Sequence, residues 1–179
     1  MNFKEKSAAL FFAALLIFSF ITGCSTMPTA KNMTVEKQIL ENRFDKAVLL
    51  YVAGGGVDDG ITLPNEPFKQ AVKASILKAN LFSAVIEKGK SDYRLDIFLG
   101  DSKQTFFGMN METIIEVVWN LSSVETEKTI WQEVVTSSHI ATGSDAFSGA
   151  TRFRISAEKA AQKNIKKGIE LLSKAQIVK

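Results

Sequence analysis

The hydrophobic residues of this chain recur with two different periods. Between residues 93 and 121 they alternate with polar residues along two long stretches, which is the pattern of strands that bury one face. A third such stretch surrounds Trp131, after a polar turn near residues 125–128. Short apolar runs at residues 46–52 and 84–87 predict two more strands, and three glycines soon follow the first of these runs.

Two other stretches have the spacing of amphipathic helices. In the first, Asn65 is a good N-cap, Pro67 suits the first helical turn, and Asn80 is the expected stop. Its apolar side recurs at steps of three and four residues and comprises Phe68, Ala71, Val72, Ser75, Ile76 and Ala79. The second helix is predicted over residues 151–175, with an apolar stripe that comprises Ala157, Ala161, Ile165, Ile169 and Leu172.

The predicted order of elements is strand, helix, four strands and helix. Because only one face of the strands is consistently apolar, both helices must pack on that face. We therefore predict an α+β fold, a two-layer sandwich with a largely antiparallel sheet of four or five strands and two helices on one face.

The first 24 residues have a pattern of their own. Lys4 and Lys6 precede an apolar run at residues 8–21, and the passage ends in Ile21-Thr22-Gly23-Cys24. The apolar run has about 14 residues, fewer than the roughly 18–20 that a membrane-spanning helix needs. The passage therefore predicts a cleaved secretory signal. An uncleaved membrane anchor is the alternative.

The residues Ile21-Thr22-Gly23-Cys24 resemble the lipobox of bacterial lipoproteins, with Ile in place of the more usual Leu at the first position. This resemblance implies that residues 1–23 are removed and that the Cys24 thiol carries a diacylglyceryl group. It also implies a further acyl chain, such as palmitate, on the new amino terminus. Ser25 follows the cysteine, which by the same resemblance implies the outer membrane, on its periplasmic side. In a Gram-positive source the location would be the outer face of the plasma membrane.

The composition fits a small exported domain. Removal of residues 1–23 leaves 156 of the 179 residues, divided into a lipidated tether at 24–43 and one α+β domain at 44–179. Cys24 is the only cysteine, so we expect no disulfide and an ordinary hydrophobic core. The formal net charge is +3, which is too close to balance to indicate a nucleic-acid partner.

We find no catalytic or metal-binding constellation in the sequence. His139 is the only histidine, and Ser144 with Asp145 lacks the Gly-x-Ser-x-Gly elbow of a serine hydrolase. Residues 54–60 form a glycine-rich loop without the Lys-Ser/Thr pair of a phosphate-binding loop. We therefore expect a protein that is not an enzyme and that has no metal or cofactor apart from the lipid on Cys24.

Two apolar loops and one basic helix face are the candidate contact surfaces. Phe106, Phe107 and Met109 lie in a predicted loop at 104–110, and Phe147 lies in a predicted loop at 143–153. Exposed apolar residues at loop tips mark contacts with protein or membrane. The alternative is that the two phenylalanines fold back onto the core. The basic side of the last helix is either a solvated surface or a contact with anionic lipid, and it comprises Lys159, Lys163, Lys166 and Lys167.

Several passages of the mature part resemble the α/β envelope lipoproteins of Gram-negative bacteria. They are the helix end at 80–85, the strand start at 91–96, and the hairpin formed by 118–121 and 128–131. That group includes the lipopolysaccharide-assembly lipoprotein that plugs an outer-membrane barrel and auxiliary lipoproteins of lipid-transporting ABC systems. The resemblance implies a non-enzymatic accessory or assembly factor for an envelope transport or outer-membrane complex, with a barrel or transporter as partner. A lipid- or glycolipid-binding carrier, with a groove between helices and sheet, is the alternative.

Overall fold

The computed structural model describes residues 27–55 and 63–175. Residues 1–26, which include Cys24 and the passage that resembles a lipobox, lie outside the described residues, as does most of the glycine-rich loop. The described elements, in chain order, are α1 (Ala30–Met33), β1 (Phe44–Ala53), α2 (Asn65–Ala79), β2 (Phe82–Ile86), β3 (Tyr93–Phe107), β4 (Asn110–Ser123), β5 (Thr129–Ala141) and α3 (Gly149–Ser173).

The five strands form one open sheet in the order β2-β1-β3-β4-β5. β1 runs parallel to both of its neighbours, whereas the long strands β3, β4 and β5 form antiparallel ladders. α2 packs on β1 and β2, α3 packs on β4 and β5, and the two helices contact each other on the same side of the sheet. The predicted α+β sandwich, with a largely antiparallel sheet and two helices on one face, is confirmed.

The buried side of α2 is the predicted set of six residues. Asn80 ends the helix in the left-handed conformation, with φ +52°, and its N–H bonds to the carbonyls of Ile76 and Leu77. The start of the helix differs from the prediction, because Asn65 is the first helical residue and not the N-cap. Its side-chain amide bonds both the N–H and the carbonyl of Gly55, at 2.8 and 3.2 Å. Asn65 therefore ties the end of β1 to α2.

α3 packs closely on the sheet at Trp119 of β4. The ring of Trp119 is fully buried against Gly168, where an added methyl group would overlap the ring atoms. Trp119 Nε1 donates to Asn164 Oδ1 at 3.1 Å, and Asn164 Nδ2 donates to the Val135 carbonyl of β5 at 2.6 Å. These bonds satisfy the polar atoms of two buried side chains, so one residue set joins β4, β5 and α3.

Residues 29–35 pack against the two long helices, and Asn42 is bonded to the end of α3. Met33 is fully buried, Val35 is 7 % exposed, and the Val35 N–H donates to Ser75 Oγ of α2 at 2.9 Å. Further along, Asn42 Nδ2 donates to the carbonyl of Ser173, at the end of α3, at 2.8 Å. Burial of Met33 and Val35 makes this part of the range 24–43, for which a tether is predicted, contribute to the core.

Glu158 of α3 holds the start of that segment. Its side chain is 4 % exposed and accepts hydrogen bonds from the Thr29 N–H at 2.9 Å, the Thr29 hydroxyl at 3.1 Å and Asn32 Nδ2 at 2.8 Å. Arg154 Nε lies 3.9 Å from Glu158 Oε2. A buried carboxylate requires such donors, because it has lost its water. Thr29, five residues after Cys24 in the sequence, is therefore already held by the fold, and the preceding Pro28 is buried as well.

We predict that Gly168→Ala destabilises the domain. The new methyl group overlaps the Trp119 ring, and overpacking of this kind costs about 1–3 kcal/mol, more than the ~1 kcal/mol that alanine gains over glycine in a helix. Urea unfolding followed by circular dichroism should show a lower midpoint. The neighbouring exposed residue gives the control, Lys167→Ala, for which we expect a change within about 0.5 kcal/mol. An unchanged midpoint for Gly168→Ala would show that the ring is free to move.

We also predict that Glu158→Ala releases the segment that begins at Thr29. Three hydrogen bonds to a charged acceptor are lost, and the free energy of unfolding should fall by about 2–3 kcal/mol. Trypsin cleavage after Lys31 should become faster, which limited proteolysis with mass spectrometry would measure. Glu116→Ala, on the exposed side of β4, is the matched control and should leave the cleavage rate unchanged. Equal rates for both variants would contradict the role assigned to Glu158.

Candidate functional site

The β3–β4 hairpin projects as a narrow apolar tip. The predicted loop at 104–110 is mostly strand, because β3 continues to Phe107 and β4 begins at Asn110. The turn itself has two residues, Gly108 and Met109, and Gly108 has φ +59°, a conformation that favours glycine. The exposed fractions are 62 % for Phe106, 58 % for Phe107 and 59 % for Met109. Both phenylalanine side chains are therefore exposed to solvent and do not fold back onto the core.

The two phenylalanines point to opposite faces of the sheet. Phe106 pairs with Met111, and Phe107 pairs with Asn110. Met111 is two residues from Thr113, whose hydroxyl is buried against Ser156 Oγ of α3 at 2.6 Å, so Phe106 and Met111 share the helix-covered face. Phe107 lies on the other face. The tip is therefore apolar on both sides and at its turn.

The loop between β5 and α3, residues 142–148, packs beside this tip. A methyl group added at Gly143 would lie 3.1 Å from Met109 Cε, so the Met109 side chain rests on that glycine. The loop is closed by Asp145, whose carboxylate accepts bonds from the N–H and hydroxyl of Thr142, at 2.7 and 2.8 Å. These bonds, the one from the Thr142 N–H foremost, lower the pKa of Asp145. The hairpin turn and this loop thus form one end of the molecule.

Phe147 lies in this loop with its side chain 95 % exposed. Its backbone is held, since Arg152 Nη1 of the first turn of α3 donates to the carbonyls of Ala146 and Phe147, at 2.8 and 2.7 Å. Arg152 itself is 8 % exposed. The loop thus presents an exposed aromatic ring on a hydrogen-bonded backbone. We call Phe106, Phe107, Met109 and Phe147 the apolar tip.

The predicted basic side of α3 is exposed, and its four lysines lie along the middle of the helix. Lys163 Nζ donates to the Ser138 carbonyl at 2.9 Å, and Lys159 Nζ donates to Gln162 Oε1 at 3.3 Å. Lys166 lines a surface cavity of about 490 Å³ beside residues 35–41, and Lys167 is the neighbouring exposed cation. The cavity wall also contains Glu36, Glu41 and Glu170. The lysines and the apolar tip are thus separate surfaces.

His139 lies half-buried on the edge strand β5. Burial lowers its pKa, and the nearby charge of Lys163 lowers it further. The carboxylate of Asp145 is engaged by Thr142, and Ser144 Oγ shares a hydrogen bond with the Thr142 hydroxyl at 2.7 Å. The described residues contain no group of three or more His, Cys, Asp or Glu placed to hold a metal ion. Within the same residues, no helix has the length and apolar character required to cross a bilayer.

Sequence reasoning missed Glu158 and Arg152. Glu158 carries a detectable signal, because it lies three and seven residues before Ala161 and Ile165 and therefore shares their buried side. A charged residue at such a position requires a buried partner. Arg152 gives no comparable signal, since its role depends on how the preceding loop folds back.

No family model matches this sequence, and no curated protein matches it. Solved structures do share its fold. Protein XCC0632 of Xanthomonas campestris, from family DUF330, superposes with a TM-score of 0.60 at 11 % identity, over 78 % of this chain and 90 % of that one. A Caulobacter crescentus protein provisionally described as a lipoprotein gives 0.52 at 11 %, over 70 % and 87 %. A PelC variant from Paraburkholderia phytofirmans, solved as a dodecamer, gives 0.52 at 13 %, over 79 % and 95 %. The chain therefore has a fold found in bacterial proteins of the lipoprotein type.

Proposed function

We propose that this protein is an envelope lipoprotein, anchored through Cys24, that acts as a non-enzymatic accessory factor of an envelope transport or outer-membrane complex. The observation that carries the proposal is the lipobox-like Ile21-Thr22-Gly23-Cys24, whose cysteine lies five residues before Thr29, a residue that the fold already holds. So short a spacer keeps the domain at the bilayer surface. The fold shared with a protein provisionally described as a lipoprotein supports the anchoring.

The energetics of lipidation suit such an anchor. Each buried methylene contributes about 0.8 kcal/mol, so one chain binds reversibly whereas two or more hold the protein stably. A diacylglyceryl group on Cys24 supplies two chains, and an acylated amino terminus supplies a third. Ser25 favours the outer membrane as the destination, with the domain on the periplasmic side.

An exposed apolar row on the sheet face away from the helices supports the accessory role. Ala53, Phe98, Val118 and Val134 are paired in register across four adjacent strands on that face. Phe98 is 54 % exposed and Val134 is 51 % exposed. The pattern of an apolar centre beside charged residues is that of protein–protein contact surfaces. We assign this row, which we call the outer row, to contact with an envelope protein.

A charged pair lies beside the outer row. Arg94 Nε bonds Asp96 Oδ1 at 2.8 Å, and the Arg94 guanidinium lies 5.7 Å from the centroid of the Tyr51 ring. Arg and Tyr are enriched in the contact surfaces of protein complexes.

The lipid-carrier alternative requires an apolar groove between the helices and the sheet. In the described residues this space is filled, since Trp119, Ile165 and Ile169 are fully buried there. The cavity beside α3 is lined largely by charged side chains, which do not suit an acyl chain. The accessory role is therefore the better supported of the two.

We predict that Cys24→Ser abolishes lipidation without unfolding the domain. Palmitate should no longer be incorporated, whereas the circular dichroism of the chain should stay the same. Ser25→Ala is the matched control and should keep the label. Palmitate on the Cys24→Ser chain would contradict lipidation at this residue.

We predict that the outer row contacts an envelope protein in cells. A photo-crosslinking amino acid at Phe98 should give one discrete adduct in intact cells, and Val134→Asp in the same chain should abolish it. The control position is Leu77, which is 44 % exposed on α2 and should give no such adduct. An adduct of twice the chain mass would identify a second copy as the occupant. That result, or an adduct insensitive to Val134→Asp, would overturn the assignment.

A further inference from the structure

The arrangement of the apolar tip suits insertion into lipid. Phe106 and Phe107 project from opposite faces of the hairpin, and Met109 occupies its turn. A single protein partner docked on the sheet would cover one face only. Burial on both faces at once requires surroundings that close around the tip, as lipid does.

The length of the apolar end of the hairpin also matches the depth to which interfacial elements enter a membrane. Glu112 pairs with Thr105, two residues behind Phe107, and Lys103 lies two residues further back. At about 3.3 Å per residue, the first charge along the hairpin itself is therefore about 7 Å behind the ring of Phe107. Interfacial elements bury their apolar side about 5–10 Å into the headgroup and acyl boundary. The charged residues would then lie at the level of the headgroups.

The chain leaves the domain in the direction of this tip. Asn42 is bonded to Ser173, the carbonyl of Thr34 to Gln162, and Thr29 to Glu158. Traced backwards from residue 42 to residue 29, the segment therefore runs along α3 towards the N-terminal end of that helix. That end begins at Gly149, beside Phe147 and against Met111 of the hairpin.

The chain between Cys24 and Thr29 is long enough to place a lipid on Cys24 beside only one of the two ends of the domain. Extended chain spans at most about 17 Å between Cys24 and Thr29. Along α3, Gly149 is nine residues from Glu158, about 13 Å, whereas Ser173 is fifteen residues away, about 22 Å. A lipid on Cys24 can thus lie level with the apolar tip, and cannot lie level with the opposite pole.

We propose that the apolar tip inserts into the surface of the bilayer that holds Cys24, so that the lipid chains and the hairpin form two neighbouring membrane contacts. The inference rests on the proposed lipidation of Cys24. It orients the domain with the N-terminal end of α3 and the β3–β4 turn at the membrane. The β4–β5 turn, at Val124, then faces away from it.

The test uses the full lipidated chain, reconstituted in vesicles of phosphatidylethanolamine and phosphatidylglycerol. Because Cys24 is the only cysteine, a second cysteine is the single reactive thiol once Cys24 carries lipid. An environment-sensitive NBD fluorophore is attached at Phe107→Cys and, as the matched control at the opposite pole, at Val124→Cys, where the native side chain is 45 % exposed. The probe at residue 107 should brighten several-fold, shift to the blue, and be quenched by nitroxide-labelled acyl chains. The probe at residue 124 should show none of these changes.

Intact mass and thiol labelling of the wild-type chain separate the two ways of failing. A Cys24 without lipid mass would overturn the anchoring and this inference together. A lipidated chain whose probe at residue 107 stays as polar as the probe at residue 124 would overturn the inference alone. Quenching at residue 124 in place of residue 107 would reverse the orientation and overturn it as well.

Discussion

The contact between the Trp119 ring and the bare backbone of Gly168 sets the distance between the two layers of the domain. The indole hydrogen bond to Asn164 and the Asn164 bond to β5 fix the rotation of α3 at the same point. Because the distance of α3 from the sheet and its rotation are fixed at this point, Glu158 faces Thr29, and Arg152 faces the loop that carries Phe147. The docking of Thr29 and the position of the loop that carries Phe147 therefore both depend on one contact in the middle of the sandwich.

The two proposed contact surfaces lie at different sides of the domain. The apolar tip is at the end of the long strands, whereas the outer row crosses the sheet face at about mid-height. If the strand ends rest on the bilayer, the strands stand up from it and the sheet face points sideways along the membrane. A partner embedded in the same membrane would meet that face without displacing the tip. One short anchor would thus orient the second surface as well as hold the first.

Periodicity predicted those parts of the fold in which one face is buried throughout. The six buried residues of α2 are the best example, and the inner residues of β4 are another. The end of β3 was not predicted, because a β-bulge between Leu99 and Ser102 moves the buried side from odd to even residues and breaks the alternation. Residues 29–43 show neither the alternation of a strand nor the three- and four-residue spacing of a helix, since they contact two helices irregularly. The apolar tip was identified by composition, but its link to the Thr29 docking site needed the three-dimensional fold.

The bonds between Thr29 and Glu158 join residues 129 positions apart in the sequence. In an exported chain, the segment that follows Cys24 crosses the membrane first and α3 crosses last. Thr29 therefore has no docking site until nearly all of the chain has been translocated. Under the proposed lipidation of Cys24, the segment that follows it would dock only after α3 is in place. The docking that completes the core would then also limit access to the anchor site.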